Sequence, residues 1–189
     1  MMHMKPMLSP SSYRDMTRHP DGVVADLRTD HAGETGAVCI YQGVLQFARD
    51  PELRAFALRH LETERAHLEL IEALLEEGDR SRLLPLWRLA GWVIGAVPSM
   101  LGPRAVYATI VTVETFVDHH YAQQVQRLES EPSLHALRQT LEACRSEEVD
   151  HRDEAAAAFG PGTPGFVLRG WCWLVDAGSR AAVAVCRHI

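Results

Sequence analysis

The chain has 189 residues, 47% hydrophobic and 23% charged, with a formal net charge of −6. That length and balance suit a single globular domain with a full hydrophobic core. The acidity, with no stretch concentrating Lys or Arg, argues against nucleic acid as a partner. Four cysteines, Cys39, Cys144, Cys172 and Cys186, are scattered without a C-x-x-C pair. They suggest neither a staple framework nor a zinc knuckle, and a reducing cytoplasm is the expected setting.

Residues 1–18 lack the long apolar run of a secretory signal, and residues 1–20 are expected to be a flexible segment ahead of a domain at 21–189. Abundant Ala, Leu, Glu and Arg then favour helices throughout. The first helix is expected over residues 21–48, ending before Asp50-Pro51. Pro51 suits the first helical position of the next helix, with Asp50 as its cap. That second helix is expected to reach Glu77, with Gly78 as its C′ residue. Residues 83–101, LLPLWRLAGWVIGAVPSML, read as a short broken helix carrying Arg88 and two prolines. Gly102-Pro103 opens a long helix to about residue 129, and Glu131-Pro132-Ser133 separates it from another ending near Phe159. The run Gly160-Pro161-Gly162-Thr163-Pro164-Gly165 is a stop, and an apolar helix interrupted by Arg169, Asp176 and Arg180 closes the chain.

Neither apolar stretch reaches the roughly 20 uninterrupted apolar residues of a spanning helix. All four tryptophans, Trp87, Trp92, Trp171 and Trp173, fall in these two stretches. Trp favours the membrane–water interface, so the expected location is peripheral, on the cytoplasmic face of a membrane. The four amphipathic helices, joined by two short turns and one long crossover, predict an all-α, ferritin-like four-helix bundle with an apolar crossover and an additional C-terminal helix.

A weak internal repeat accompanies this plan. Residues 21–78 and 102–159 each offer a helix with one Glu in an apolar or small-residue context, a Pro-containing turn, and a helix with E-x-x-H. The pairs are Glu64/His67 and Glu148/His151; the preceding glutamates are Glu34 and Glu114. Residues three apart share a helix face, so each pair projects a carboxylate and an imidazole to one place. A single E-x-x-H is more often a solvated face. Two in matching positions, each after a carboxylate that is costly to bury unless paired or metal-bound, are a different matter. Four carboxylates and two imidazoles on four helices are the ligand inventory of a di-iron or di-manganese site. The carboxylates match the charge of two Fe(II) ions, and this donor set suits iron or manganese better than copper or thiolate-type zinc.

The strings Leu27-Arg28-Thr29-Asp30-His31-Ala32-Gly33-Glu34-Thr35-Gly36-Ala37, Ile40-Tyr41-Gln42-Gly43, Glu114-Thr115-Phe116-Val117-Asp118-His119-His120-Tyr121 and Glu147-Glu148-Val149-Asp150-His151 resemble the demethoxyubiquinone hydroxylase family. So do Leu84-Pro85-Leu86-Trp87 and Asp176-Ala177-Gly178-Ser179-Arg180. The resemblance covers roughly residues 22–189. It implies an O2-dependent monooxygenase hydroxylating a polyprenyl-methoxy-methyl-benzoquinol in ubiquinone biosynthesis. It also implies two iron ions on Glu34, Glu64, His67, Glu114, Glu148 and His151, with Glu64 and Glu148 bridging, and NADH as a reductant. No dinucleotide fingerprint accompanies that last expectation. The implied partners are the quinol, a membrane surface and a lipid-binding accessory protein of the pathway, with a second copy of the chain as a further candidate.

Tyr121, seven residues after Glu114, returns to its face and is expected either to bond a ligand carboxylate and relay electrons and protons, or to be an ordinary core tyrosine. His120 lies off that face; the resemblance makes it a site neighbour, which a π-bulge would ease. Asp30 and Asp118 are expected to orient a ligand His from behind or to be solvated or capping residues. His31, His60, His119 and His135 are expected to be ordinary surface or core histidines, and Cys144 a small buried apolar group. The rival readings are an iron-storage or peroxide-reducing ferritin-like protein and a non-enzymatic membrane-surface scaffold. The Trp-bearing crossover favours the hydroxylase, because a storage cage needs a soluble exterior and a polyprenyl substrate needs an apolar entrance.

Overall fold

A computed structural model describes residues 22–189, so the expected flexible segment at 1–20 lies outside the described residues. Six α-helices carry the fold: α1 (Val23–Phe47), α2 (Pro51–Leu74), α3 (Leu84–Leu101), α4 (Pro103–Leu128), α5 (His135–Phe159) and α6 (Phe166–Cys186). Short 3-10 turns at Glu77–Asp79 and Pro132–Leu134 punctuate the connections. As expected, Asp50 caps α2, its carboxylate accepting from Leu53 N at 2.8 Å, with Pro51 at the first position.

Two details differ from the sequence reading. Helix α2 stops at Leu74 and Gly78 is no left-handed cap. The chain leaves the helix early so that Leu75 can pack into the core and the carbonyl of Asp79 can accept from Arg28 Nε at 2.6 Å. Residues 84–101 are one continuous 18-residue helix. Pro85 sits in the first turn, where its missing N–H costs nothing, and Pro98 sits in the last, where it forfeits one bond. Continuous, α3 has the length and composition to cross a membrane, alone in this among the described helices. Gly102, at φ 109 and ψ 173, makes the turn from α3 straight into α4, a conformation that favours glycine.

The glycines explain how α3 is held. A Cβ on Gly91 would overlap the carbonyl oxygen of Gly36 and lie 3.0 Å from its carbon; one on Gly95 would overlap the Ile40 carbonyl oxygen and lie 3.0 Å from Val44 N. From the other side, a Cβ on Gly43 would lie 2.9 Å from Ala96 N. The G-x-x-x-G spacing of α3 therefore brings its backbone against that of α1.

Helices α1, α2, α4 and α5 form the bundle. The third helix of each half, α3 or α6, packs on the first helix of both halves, α1 and α4. The repeat thus has three helices per half, one more than the sequence suggested. The core is split in two. One apolar cluster holds Val44, Leu53, Phe56, Val106 and Ile110, and the other holds Leu27, Ile71, Val125, Leu137 and Leu141. Between these two layers lie the buried glutamates.

Candidate metal centre

Each bundle helix delivers a carboxylate to the same level: Glu34 from α1, Glu64 from α2, Glu114 from α4 and Glu148 from α5, all buried. The i, i+3 spacing adds His67 beside Glu64 and His151 beside Glu148. The six expected ligands come together in two overlapping groups, with donor atoms within 4.8 Å of one another: Glu34, Glu64, His67 and Glu148, and Glu64, Glu114, Glu148 and His151. Glu64 and Glu148 belong to both. His67 presents Nδ1, 2.9 Å from Glu148 Oε1 and 3.9 Å from Glu34 Oε2. His151 also presents Nδ1, 3.1 Å from Glu64 Oε1 and 3.2 Å from Glu148 Oε2.

The arrangement fits a pair of cations. Both Glu64 oxygens, Glu148 Oε2 and His151 Nδ1 are buried with no hydrogen-bond partner among the described residues. Orphaned carboxylate oxygens in a core are costly unless a positive charge satisfies them. Without metal, protons take part of that role. Burial pushes the Glu34 and Glu114 carboxyls well above the usual range, with His67 opposing at Glu34 and the Glu148 and Glu64 charges adding at Glu114. Burial pulls the other way on His151, yet Glu148 and Glu64 hold its pKa up to about 11. His67 is raised likewise, against its burial, by Glu147, Glu148 and Glu34. Glu148 is held well below the carboxylate range, burial being overridden by His151 and His67. A metal must displace these protons.

Two tyrosines cross between the halves. Tyr121 on α4 donates to Glu34 Oε1 on α1 at 2.5 Å, and Tyr41 on α1 donates to Glu114 Oε1 on α4 at 3.3 Å. Tyr121 therefore bonds one of the expected ligands and is not merely a core residue. Tyr41 was missed although the signal was in the sequence: it follows Glu34 by seven residues, as Tyr121 follows Glu114. Glu147 was missed as well; its Oε2 lies 2.7 Å from His67 Nε2. No local pattern announces that contact, because its partner lies on α2.

Other expectations fall differently. His120 touches no ligand. Its Nε2 lies 3.1 Å from Thr29 Oγ1, 2.9 Å from Gln124 Nε2 and 3.2 Å from Asp30 Oδ1, and α4 runs through it as regular α-helix with no π-bulge. Asp30 also accepts from Gln124, at 2.5 Å. Asp118 binds Arg145 and Arg152 at 2.7 and 2.9 Å, tying α4 to α5. Neither aspartate backs a ligand histidine. His31 pairs with Glu72 and His60 with Glu154. His60 also meets His151 edge to face, ring centroids 4.1 Å apart, and burial followed by the His151 charge lowers its pKa to about 4. His119 and His135 are exposed. Cys144 is fully buried, as expected, and burial pushes its thiol up to about 12.

A cavity of about 660 Å³ leads from this cluster to the surface. Helices α1, α3, α4 and α6 wall it; Glu34, Glu64, Glu114 and Glu148 line its inner end, and Trp87, Ile94, Leu174 and Val183 line its apolar sides. His120 and Tyr121 also face it. Leu86 of α3 and Leu174 of α6 line the cavity and are exposed, and the same two helices also expose Leu89, Trp92, Phe166 and Trp173. Trp171 is anchored, its Nε1 donating to Thr109 Oγ1 at 2.9 Å.

Bundle, crossover and Glu/His cluster together define a helical protein of the ferritin-like class, with a metal-binding type of centre at the end of an apolar cavity. Residues 23–186 match the family model described as ubiquinone biosynthesis protein COQ7, and the chain belongs to that family. It is 36% identical over 167 residues to the 3-demethoxyubiquinol 3-hydroxylase of Rhodospirillum rubrum, covering 86% of this chain and 76% of the relative. A protein of that name from Ralstonia pickettii is 33% identical over 149 residues, 78% of this chain and 66% of the relative. The NADPH-dependent 3-demethoxyubiquinone 3-hydroxylase, mitochondrial, of Rattus norvegicus is 32% identical over 162 residues, 83% and 73%.

Proposed function

We infer that the chain is the hydroxylase of a demethoxyubiquinol-type ring in ubiquinone biosynthesis. The observation that carries this reading is the apolar cavity ending on the carboxylate cluster, in a member of a family whose relatives bear hydroxylase names. Glu34 and His67 would hold one iron ion and Glu114 and His151 the other, with Glu64 and Glu148 placed to bridge them. When bound, the two ions supply the activation of O2 and the insertion of one oxygen atom into the ring, for which carboxylate and imidazole donors suit iron.

The chain supplies position and dryness. Aromatic and aliphatic side chains along the cavity hold an apolar ring and exclude water from the carboxylates. His120 lines the cavity, its Nε2 held in the wall by Thr29, Asp30 and Gln124, and would hold a ring oxygen through the rest of its ring. Tyr121 fixes Glu34 and offers a phenolic proton beside the cluster. The reductant proposed is a nicotinamide nucleotide, NADH in the sequence reading; the mitochondrial relatives are named NADPH-dependent.

The exposed apolar side chains of α3 and α6 support a peripheral position on the cytoplasmic face of a membrane, the quinol's polyprenyl tail staying in lipid while its ring enters between these helices. Although α3 is long enough to span, its glycine face is packed against α1 of a bundle whose helices carry many charges, so lying at the interface suits it better than crossing. The same face suits a lipid-binding accessory protein or a second copy of the chain as partner.

Complementation tests the reading. A bacterial strain lacking the demethoxyubiquinol hydroxylation step should regain ubiquinone with this chain and accumulate the demethoxy precursor with Glu64→Ala. Stably expressed wild type that restores none, while the purified protein accumulates many irons per chain, would give the storage reading instead.

A further inference from the structure

The two halves of the centre mirror each other in their donor atoms but not behind them. His67 turns Nδ1 to the cluster and Nε2 outward, and Nε2 meets the half-exposed carboxylate of Glu147 at 2.7 Å. His151 turns Nδ1 inward in the same way, yet behind it lies the ring of His60, whose own Nε2 is directed to Glu154 at 2.9 Å. No carboxylate among the described residues pairs with Nε2 of His151. The repeat accounts for the difference. The residue before Glu148 is Glu147, and the residue before the equivalent Glu64 is Thr63.

We propose that Glu147 is a positioning residue for the metal held by Glu34 and His67, and that its lack of a counterpart makes the two metal positions unequal, with the His67 position the tighter. This rests on the metal reading given above. A carboxylate accepting from Nε2–H fixes the imidazole tautomer, leaves the Nδ1 lone pair facing the ion, and makes the ring a stronger donor. It also holds the ring plane, as the one hydrogen-bond partner of His67 Nε2 among the described residues. At His151 the outward side of the ring meets the His60 ring and no carboxylate among the described residues, so its orientation and tautomer are less constrained from behind.

Loss of such a partner typically weakens metal affinity by about 10–100-fold. The test is anaerobic Fe(II) titration of the apoprotein, with Mössbauer spectra of the iron-57 loaded protein. Wild type should bind two irons in distinguishable steps and give two quadrupole doublets of equal area. Glu147→Ala should weaken one of the two by about 10–100-fold and shift one doublet only. Glu147→Gln keeps an acceptor for Nε2–H without the charge, so it should restore two-iron occupancy while the His67-side doublet stays shifted. Glu147 is partly solvated, and unchanged circular dichroism identifies either variant as folded. Two irons bound by a folded Glu147→Ala with wild-type affinities, or equal weakening at both positions, overturns the proposal. Wild type that binds no iron overturns the metal reading beneath it; Glu148→Ala, expected to lose both irons, separates the two failures.

Discussion

Substitution of Gly95 by alanine isolates the seam on which the cavity wall depends. The added methyl would overlap the carbonyl oxygen of Ile40 and sit 2.8 Å from its carbon and 3.0 Å from Val44 N. All three atoms are backbone of α1, so no side chain can rotate away and α3 must lift. Overpacking of this kind costs about 1–3 kcal/mol, partly offset by the roughly 1 kcal/mol that Ala gains over Gly in a helix. For a chain of this size each kcal/mol moves the melting temperature by about 2–4 °C, so Gly95→Ala should melt a few degrees lower. Gly170 on α6 has nothing within 4 Å of its added Cβ, and Gly170→Ala should melt level or slightly higher. Thermal melts in mild detergent, followed by circular dichroism, compare the two directly. A Gly95→Ala variant as stable as Gly170→Ala would refute the close backbone approach of α1 and α3. The same lifting should widen the cavity, since Gly91, Ile94 and Trp87 line it.

Three further outcomes follow from the site and its rim. Tyr121→Phe should weaken iron binding by about tenfold, as expected for losing a hydrogen bond to a charged acceptor, and Tyr41→Phe should do less, its bond being 3.3 Å against 2.5 Å; iron titration ranks them. Above about pH 6.5, where the opposing contributions of Glu148 and His60 are already complete, the metal-free protein should lose stability as pH rises. Glu34, Glu114, His67 and His151 all bind protons more tightly folded than unfolded, so their contribution is full at low pH, declines above the ordinary carboxyl value of 4.5 and the imidazole value of 6.5, and is gone past about 11 for His151. Chemical denaturation at pH 6.5 and 9 checks this, and iron should reverse the order, because the displaced protons compete less at high pH; an apoprotein more stable at pH 9 would contradict it. On the membrane, Leu86→Glu with Trp173→Glu should cut vesicle flotation at least about tenfold, each apolar side chain contributing about 1.5–3 kcal/mol when buried; unchanged flotation would place the contact elsewhere.

Much of this was legible because helical periodicity and burial cost act locally. Two E-x-x-H motifs in matching repeats, each after a glutamate among small or apolar residues, identified four helices and the cluster where they meet. Pro51 and Pro103 marked helix starts correctly, and Glu131-Pro132-Ser133 marked the break before α5. Pro98 misled, because its effect depends on distance from the helix end and on the glycine seam that holds α3, which is a tertiary contact. Gly78 misled likewise, since the early end of α2 is set by Arg28 and the burial of Leu75. Glu147 and the Thr29–Asp30–His120–Gln124 network were unreadable, their partners lying on other helices. Tyr41 was readable and missed, for the repeat that matched the glutamates matched the tyrosines as well.

The central claim is that this cluster, with two irons, hydroxylates a ring held in the apolar cavity. The direct test supplies iron-loaded protein with a short-tailed demethoxyubiquinol, a nicotinamide nucleotide and isotopically labelled O2. The account predicts about two irons per chain and a hydroxylated quinol carrying one labelled oxygen, with neither iron nor product in Glu148→Ala. Product oxygen drawn from water, or turnover that persists in folded, iron-free Glu148→Ala, would contradict it.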